Sequence, residues 1–195
     1  MARPVRIEYE GAFYHVTTRG NERGRIFFTE TDYEKMKDYL KEAQDRYGYL
    51  LHCYILMTNH YHLIVETPQS NLHEIMHYIN SSYTTYINRK RGRAGHLFQG
   101  RYKAILVDKD TYLLELSRYL HLNPVRARIV ARPEEYPQSS YRSYIRKEKE
   151  DIVHCGLILE MISQHGKKGQ KAYAEYVERA IDGEYESPLK TPMPA

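Results

Sequence analysis

Cysteine is scarce in this sequence, and the two cysteines present do not form a motif. Cys53 and Cys155 are far apart in the chain, and neither belongs to a CxxC pair. A disulfide scaffold and a cysteine zinc ribbon are therefore unsupported, and each cysteine is expected to be a small buried apolar residue. Tryptophan is absent, whereas there are 20 tyrosines. With so many tyrosines, residue type alone cannot single out a tyrosine nucleophile.

Long apolar runs are also missing. No stretch is long enough to span a bilayer, and the first residues lack the apolar segment of a secretory signal. These absences predict a cytoplasmic protein that does not bind a membrane. A chain of 195 residues with 42% hydrophobic content can build one globular domain and an appended subdomain.

Acidic residues are missing from one stretch, residues 75–107. The formal net charge of only +4 hides this local excess of positive charge. Basic side chains can neutralise phosphates, and the aromatic rings between them can stack on unpaired bases. We therefore predict contact with nucleic acid, with a solvated basic loop as the alternative. The basic residues are Arg89, Lys90, Arg91, Arg93, Arg101 and Lys103.

Hydrophobic patterning predicts three strands and one helix in the first third of the chain. A strand over Ala12–Arg19 is followed by the turn "GNERG". A capping box from Thr31 to Glu34 begins a helix, which Gly48 ends. "YLLHCYILM" and "HYHLIVE" then form a hairpin around a tight Thr58-Asn59 turn.

The next elements complete the order β-α-β-β-α-β-α. A second capping box, Asn71 to Glu74, begins an amphipathic helix, and "YKAILV" is a strand. Asp110 is expected to cap a third helix, which should end at Asn123 because Pro124 follows. The order predicts an α+β fold of the ferredoxin-like, split β-α-β type, with a central antiparallel sheet and helices on one face. The second helix should be buried through Leu72, Ile75, Met76, Ile79, Tyr83 and Ile87.

The composition changes near Pro133. We predict a first domain over residues 1–132, which carries the predicted sheet, and a C-terminal helical extension over residues 133–186. The proline-rich residues 187–195 are expected to be a disordered tail.

His60 and His62 are candidate metal ligands. Side chains alternate along a strand, so both imidazoles lie on one face and can converge on one ion. An isolated His-x-His pair is more often two histidines on the wet face of a hairpin. A second pair, Tyr119 and Asn123, is four residues apart and hence shares a helix face. The amide oxygen of Asn123 is a suitable hard ligand for Mg²⁺ or Mn²⁺.

A strand with His-x-His, followed by a helix with Tyr-x-x-x-Asn, resembles the single-tyrosine HUH transposases of the IS200 type. The segments "FYHVTTRGNERGRIFF", "MTNHYHLIV", "GHLFQGRYKAILV" and "YLHLNPVRARIV" resemble the REP-associated tyrosine transposase branch, and the resemblance covers about residues 5–143. The family usually has an apolar residue where this chain has Tyr61, and often a glutamine where it has Asn123.

The resemblance implies HUH endonuclease architecture and cleavage of single-stranded DNA hairpins with strand transfer. It implies that His60, His62 and Asn123 hold Mg²⁺ or Mn²⁺. Tyr119 would attack the DNA and form a 5′-phosphotyrosine intermediate, with Tyr112 as the second candidate nucleophile. Apart from the resemblance, Arg126 and Arg128 are expected either to contact DNA phosphates or simply to be exposed. A monomer and a homodimer remain equally open.

Other interpretations also remain open. A domesticated, catalytically silent protein could recognise hairpin repeats without cutting them. The same chemistry could serve replication initiation or plasmid relaxation, although the chain is short and has no helicase P-loop. Cys53, His60 and His62 could instead form the zinc site of a hydrolase.

Three further residues have undecided roles. His15 either supports the site or pairs within the sheet. Glu66 is either a metal ligand or base, or a solvated strand end. His121 is either a packing residue or a DNA contact.

Overall fold

The structure is a computed structural model that describes residues 7–109, 112–147, 150–162 and 169–181. It confirms the predicted element order. Asp110 and the predicted disordered tail lie outside the described residues. The elements are β1 (Ala12–Arg19), α1 (Glu30–Tyr47), β2 (Leu50–Met57), β3 (His60–Thr67), α2 (Leu72–Arg91), β4 (Lys103–Val107), α3 (Leu113–Arg126), α4 (Tyr141–Tyr144), α5 (Gly156–Ile162) and α6 (Gly169–Glu178).

The four strands form one antiparallel sheet in the order β2-β3-β1-β4. β1 and β2 are joined through α1 and are separated by β3, which is the split β-α-β arrangement. The predicted ferredoxin-like α+β class is thus confirmed. Because β1 is central, its residues have neighbours on both β3 and β4.

Helices cover both faces of the sheet, so the expectation of helices on one face was wrong. α1 and α2 pack on the face that carries Val16, Leu63 and Val65. α3 and the helices after it pack on the opposite face, against Ile55 and Ile64. β2 is buried along almost its whole length. Such continuous burial is expected for a strand covered on both sides.

Two predicted helix caps differ in the structure. α1 begins at Glu30 behind Thr29, and the carboxylate of Asp32, rather than Glu34, accepts the amides of Phe28 at 2.9 Å and Thr29 at 3.0 Å. At α2 the side chain of Asn71 does not cap the helix. Its Nδ2 donates instead to the Tyr47 carbonyl, at 3.1 Å, so the second capping box is not formed.

The prediction that Pro124 ends the third helix was also wrong. α3 continues through buried Pro124 to Arg126. Proline removes one amide donor, but only two helical residues follow it. The carbonyls of Asn123 and Pro124 accept the amides of Ala127 and Ile129, each at 2.9 Å. Asn123 therefore stays helical, one turn after Tyr119.

Tyr141, Tyr144 and the helices α5 and α6 pack on the α3 side of the sheet, whereas Ile152 packs on the α1 side, where Gln44 donates to its carbonyl at 2.8 Å. The Leu56 amide donates to the Gln138 carbonyl at 2.9 Å, and the Ser140 amide donates to the Tyr54 carbonyl at 3.1 Å. The proposed boundary at residue 132 stays a prediction. No helix within the described ranges is long and apolar enough to cross a membrane.

Candidate active site

A cavity of about 390 Å³ opens between the sheet and α3. It brings together all four residues predicted for the chemistry of the site. Five other residues also line the cavity. Lys103 was predicted only as a DNA contact, and the other four were not among the predicted site residues. The lining is His15, Thr17, Arg19, His60, His62, Lys103, Ile105, Tyr119 and Asn123.

The strand register explains why these side chains meet. Thr17 in the central strand lies opposite His62 of β3 and opposite Lys103 of β4. Arg19 lies opposite His60. Since side chains alternate along a strand, His60 and His62 point to the same face as Thr17. α3 packs on that face, so Tyr119 and Asn123 reach the cavity from above.

The two histidines of β3 are arranged as a pair. Their ring centroids are 5.1 Å apart and their planes are nearly perpendicular, at 89°. His60 Nδ1 lies 2.6 Å from Asn59 Oδ1. His62 Nδ1 lies 2.9 Å from His15 Nε2 and 3.0 Å from Thr17 Oγ1. Each ring therefore makes its hydrogen bonds through Nδ1, which leaves Nε2 as the nitrogen for a ligand.

Burial keeps these imidazoles neutral at physiological pH. It lowers the pKa of His15 to about 4, and burial together with the nearby charge of Arg19 lowers the pKa of His60 to about 4. The pKa of His62 is held well below its ordinary value by burial first, and then by His15 and His60. A neutral imidazole is the form that binds a divalent metal.

Tyr119 lies beside His62, with ring centroids 6.4 Å apart and planes at 87°. The guanidinium carbon of Arg126 is 5.4 Å from the centroid of the Tyr119 ring. Tyr112, the second candidate nucleophile, precedes the first turn of α3 as its N-cap and does not line the cavity. The structure thus brings Tyr119, and not Tyr112, to the histidines.

The donor set fits a divalent ion. His60 and His62 offer imidazole nitrogens, and Asn123 offers an amide whose Nδ2 is buried without a hydrogen-bond partner in the described part of the chain. Within the described residues, no group of three His, Cys, Asp or Glu side chains could hold a metal. A third protein ligand would therefore have to be of another type, such as the Asn123 amide oxygen.

The alternative zinc set of Cys53, His60 and His62 is not formed. Cys53 Sγ lies 3.0 Å from His121 Nε2, and Ser140 donates to it at 3.4 Å. His121 is completely buried and its Nδ1 lies 2.7 Å from the Tyr173 hydroxyl. His121 is therefore a packing residue and not a DNA contact.

Two other undecided residues now have partners. Glu66 Oε2 lies 2.8 Å from His52 Nε2, so Glu66 belongs to a contact away from the cavity. His15 supports the site through its contact with His62. The sequence signal for this role was the position of His15 in a predicted strand of the same sheet as His60 and His62. The roles of Thr17 and Arg19 depend on the register of β1 against β3, which the local pattern does not specify.

The basic residues lie in different parts of the structure. Lys103 lines the cavity and Arg126 lies next to Tyr119. Arg101 lines a separate cavity of about 300 Å³ beside α2. Arg89, Lys90 and Arg91 form the last turn of α2, and Arg93 follows it. Lys90 donates to Asp32 at 2.6 Å, and Arg91 stacks on Phe28 at 3.7 Å.

Comparison with known protein families gives a match over residues 8–123, to the model described as "Transposase IS200 like". The match ends at Asn123. No curated protein matches the sequence significantly.

Among solved structures, the fold is similar to that of a REP-associated tyrosine transposase bound to a REP hairpin. The TM-score is 0.66 and the identity 16%, over 80% of this chain and 92% of that chain. A putative transposase from Deinococcus radiodurans R1 aligns with a TM-score of 0.43 and 17% identity, over 66% of this chain and 92% of that one. At 16% identity, the similarity to the hairpin-bound transposase shows a shared fold and no more.

Proposed function

The chain belongs to the IS200-like transposase family, whose model matches more than half of its length, and we propose that it cleaves and rejoins single-stranded DNA hairpins through Tyr119. The observation that carries this proposal is the shared cavity. Two histidines of β3 and two residues of α3, Tyr119 and Asn123, line it together. The proposal includes membership of the REP-associated branch, which the hairpin-bound structural neighbour supports.

The proposed reaction replaces one phosphoester bond by another. The Tyr119 oxygen attacks the phosphorus in line, and a Tyr–O–P bond forms as the bond from phosphorus to the 3′-oxygen breaks. The phenol loses its proton, and the leaving 3′-oxygen gains one. The product is a 5′-phosphotyrosine and a free 3′-hydroxyl. Because the covalent link conserves the phosphodiester energy, a 3′-hydroxyl can attack it later without ATP.

His60, His62 and Asn123 would hold the Mg²⁺ or Mn²⁺ ion. When bound, such an ion polarises a non-bridging phosphate oxygen and offsets charge on the leaving oxygen. The three side chains come from a strand and a helix that are packed together, so their positions are set before DNA arrives. Preorganisation of this kind avoids a reorganisation cost during the reaction.

The cations around the cavity would contact the DNA backbone. Arg126 lies over the Tyr119 ring, where its charge favours both a phenolate and the phosphate it attacks. Lys103 lies on the other side of the cavity, on β4. Arg89, Arg91, Arg93 and Arg101 would contact DNA further from the reacting phosphate, where they contribute affinity without sequence information.

A gel assay with a 3′-labelled, single-stranded hairpin oligonucleotide and Mg²⁺ or Mn²⁺ tests the proposal. The wild-type protein should cut the DNA and retain the label in a band that survives SDS. Tyr119→Phe should lose both the cut and the band, whereas the matched variant Tyr112→Phe should keep them. Undiminished cleavage by Tyr119→Phe would refute the assignment. Hairpin binding that is unchanged by EDTA, without cleavage, would identify a catalytically silent DNA-binding protein instead.

A further inference from the structure

Asn59, in the turn between β2 and β3, makes two hydrogen bonds of opposite sense. Its Nδ2 donates to the backbone carbonyl of Arg23 at 3.0 Å. Its Oδ1 lies 2.6 Å from His60 Nδ1. The side chain therefore joins the loop after β1 to a candidate metal ligand.

These two bonds together determine where His60 carries its hydrogen. A carbonyl oxygen can only accept, so the Arg23 contact fixes which end of the Asn59 amide faces His60. That end is Oδ1, which also can only accept, so His60 Nδ1 must be the donor. A neutral imidazole has a single N–H. Nε2 of His60 is therefore left with its lone pair.

We propose that Asn59 is a positioning residue that sets the tautomer and ring orientation of His60, so that Nε2 is ready to bind the ion before the ion arrives. This inference rests on the proposed function in one respect, the role of His60 as a ligand. Hydrogen bonds to the distal nitrogen of a ligating histidine commonly change metal affinity by about 10- to 100-fold.

His62 lacks an equivalent constraint. Its Nδ1 contacts His15 Nε2 and Thr17 Oγ1, and both of these groups can either donate or accept. Their positions hold the ring but do not by themselves select a tautomer. The two ligand candidates thus differ, and Asn59 acts on His60 alone.

The loop over residues 20–27 holds Asn59 in place through backbone bonds. The Gly20 amide donates to the Asn59 carbonyl at 2.8 Å, and the amides of Ile26 and Phe27 donate to the Thr58 carbonyl at 2.9 and 3.1 Å. Arg23 has a φ of 59°, a left-handed conformation that is uncommon for a residue other than glycine. The carbonyl that Asn59 contacts therefore belongs to a closely constrained segment.

The test measures tautomers in the metal-free protein at pH 8. Two-bond ¹H–¹⁵N correlations in ¹⁵N-histidine-labelled protein distinguish the Nδ1–H from the Nε2–H form, and His60→Gln assigns the His60 signals. We expect wild-type His60 to be the Nδ1–H tautomer. In Asn59→Leu, which removes both hydrogen bonds, we expect the Nε2–H form to appear and the Mn²⁺ affinity measured by calorimetry to fall about tenfold or more.

Two matched variants separate this role from general damage to the turn. Asn59→Asp keeps an acceptor for His60 and should keep the Nδ1–H tautomer. Arg23→Gly keeps the carbonyl, and glycine readily adopts the left-handed conformation of Arg23, so this variant should keep the tautomer too. The signals of His121, which is buried elsewhere, report whether each variant is folded.

A wild-type His60 in the Nε2–H form would overturn the proposal, and this result requires no variant to fold. The proposal would also be overturned if Asn59→Leu showed the same His60 tautomer and the same Mn²⁺ affinity as the wild type. Both measurements are made without DNA. A failure of hairpin cleavage would therefore count against the proposed function. It would not affect the tautomer measurement, which tests the role of Asn59 by itself.

Discussion

His62 and Tyr119 face each other across the cavity with ring centroids 6.4 Å apart and planes at 87°. One comes from an inner strand of the sheet and the other from the helix packed on it. Leu116 and Leu120, both fully buried, anchor α3 to the sheet on either side of Tyr119 along the chain. The distance between the proposed nucleophile and the proposed metal ligand therefore depends on the core beneath α3 as well as on the two residues themselves.

Asn123→Leu should raise stability and abolish metal binding at the same time. The buried Nδ2 of Asn123 has no hydrogen-bond partner in the described part of the chain, and such a group costs about 1–3 kcal/mol. Leucine removes that penalty but supplies no ligand oxygen. Urea unfolding of the metal-free protein should show the gain, and calorimetry with Mn²⁺ should show the loss.

Asn123→Asp is the matched variant. It keeps an oxygen ligand and adds a negative charge, so it should bind Mn²⁺ at least as tightly as the wild type. Equal Mn²⁺ affinity in the leucine variant and the wild type would show that Asn123 is not a ligand. The histidine pair would then act without it.

Arg126→Met should slow formation of the covalent Tyr119–DNA adduct by at least about tenfold, as expected when a cation beside a developing negative charge is removed. Its guanidinium carbon lies 5.4 Å from the Tyr119 ring centroid. Arg126→Lys keeps the charge and should retain part of the rate. Arg128→Met removes an exposed charge two residues further on and serves as the control. The readout is the single-turnover rate at saturating hairpin, and equal rates for the two methionine variants would contradict this role.

The fold was largely predictable from local patterns. Strand boundaries followed β-branched and aromatic runs, and Gly48 ended α1 in the left-handed conformation, with a φ of 69°. Local rules failed where tertiary contacts decided the outcome. Asp32 replaced Glu34 in the cap, and Lys90 and Tyr86, far away in sequence, also bind its carboxylate. Pro124 stayed helical inside a buried face.

The candidate site was predictable only in part. The residue spacing predicted that His60 and His62 share a strand face and that Tyr119 and Asn123 share a helix face. Nothing in either segment predicts that the two pairs line one cavity. That relation needs the packing of α3 on the face of the sheet that carries His60 and His62, and the rest of the cavity needs the strand order, which sets β1 between β3 and β4. The same order brings Arg19 and Lys103 to the cavity, and residue type alone gave no reason to separate them from the other basic residues.

Lys90 and Arg93 should differ in their effect on DNA binding, although both are basic residues of the acid-free stretch. The Lys90 ammonium is paired with buried Asp32 at 2.6 Å, whereas Arg93 is an exposed residue of the loop after α2. Arg93→Met should lower the slope of log affinity against log salt by about one. Lys90→Met should leave the slope unchanged and lower the melting temperature. Equal slope changes would show that Lys90 leaves Asp32 to bind phosphate.

Acid should destabilise the protein below about pH 6.5, with His121 as one cause. Burial lowers the pKa of His121 to about 3, whereas an unfolded histidine titrates near 6.5. Between these values the unfolded state binds a proton that the folded state does not, so the free energy of unfolding falls as the pH falls, by about 1.4 kcal/mol per pH unit for this histidine.

Chemical denaturation from pH 7 to pH 4.5 tests this role of His121. The free energy of unfolding should depend less steeply on pH in His121→Gln than in the wild type, even if that variant is less stable throughout. His73→Gln, which removes a largely exposed histidine, is the matched variant, and the slope should change more in His121→Gln than in this variant. A wild-type slope in His121→Gln would mean that the folded protein accepts the proton at His121.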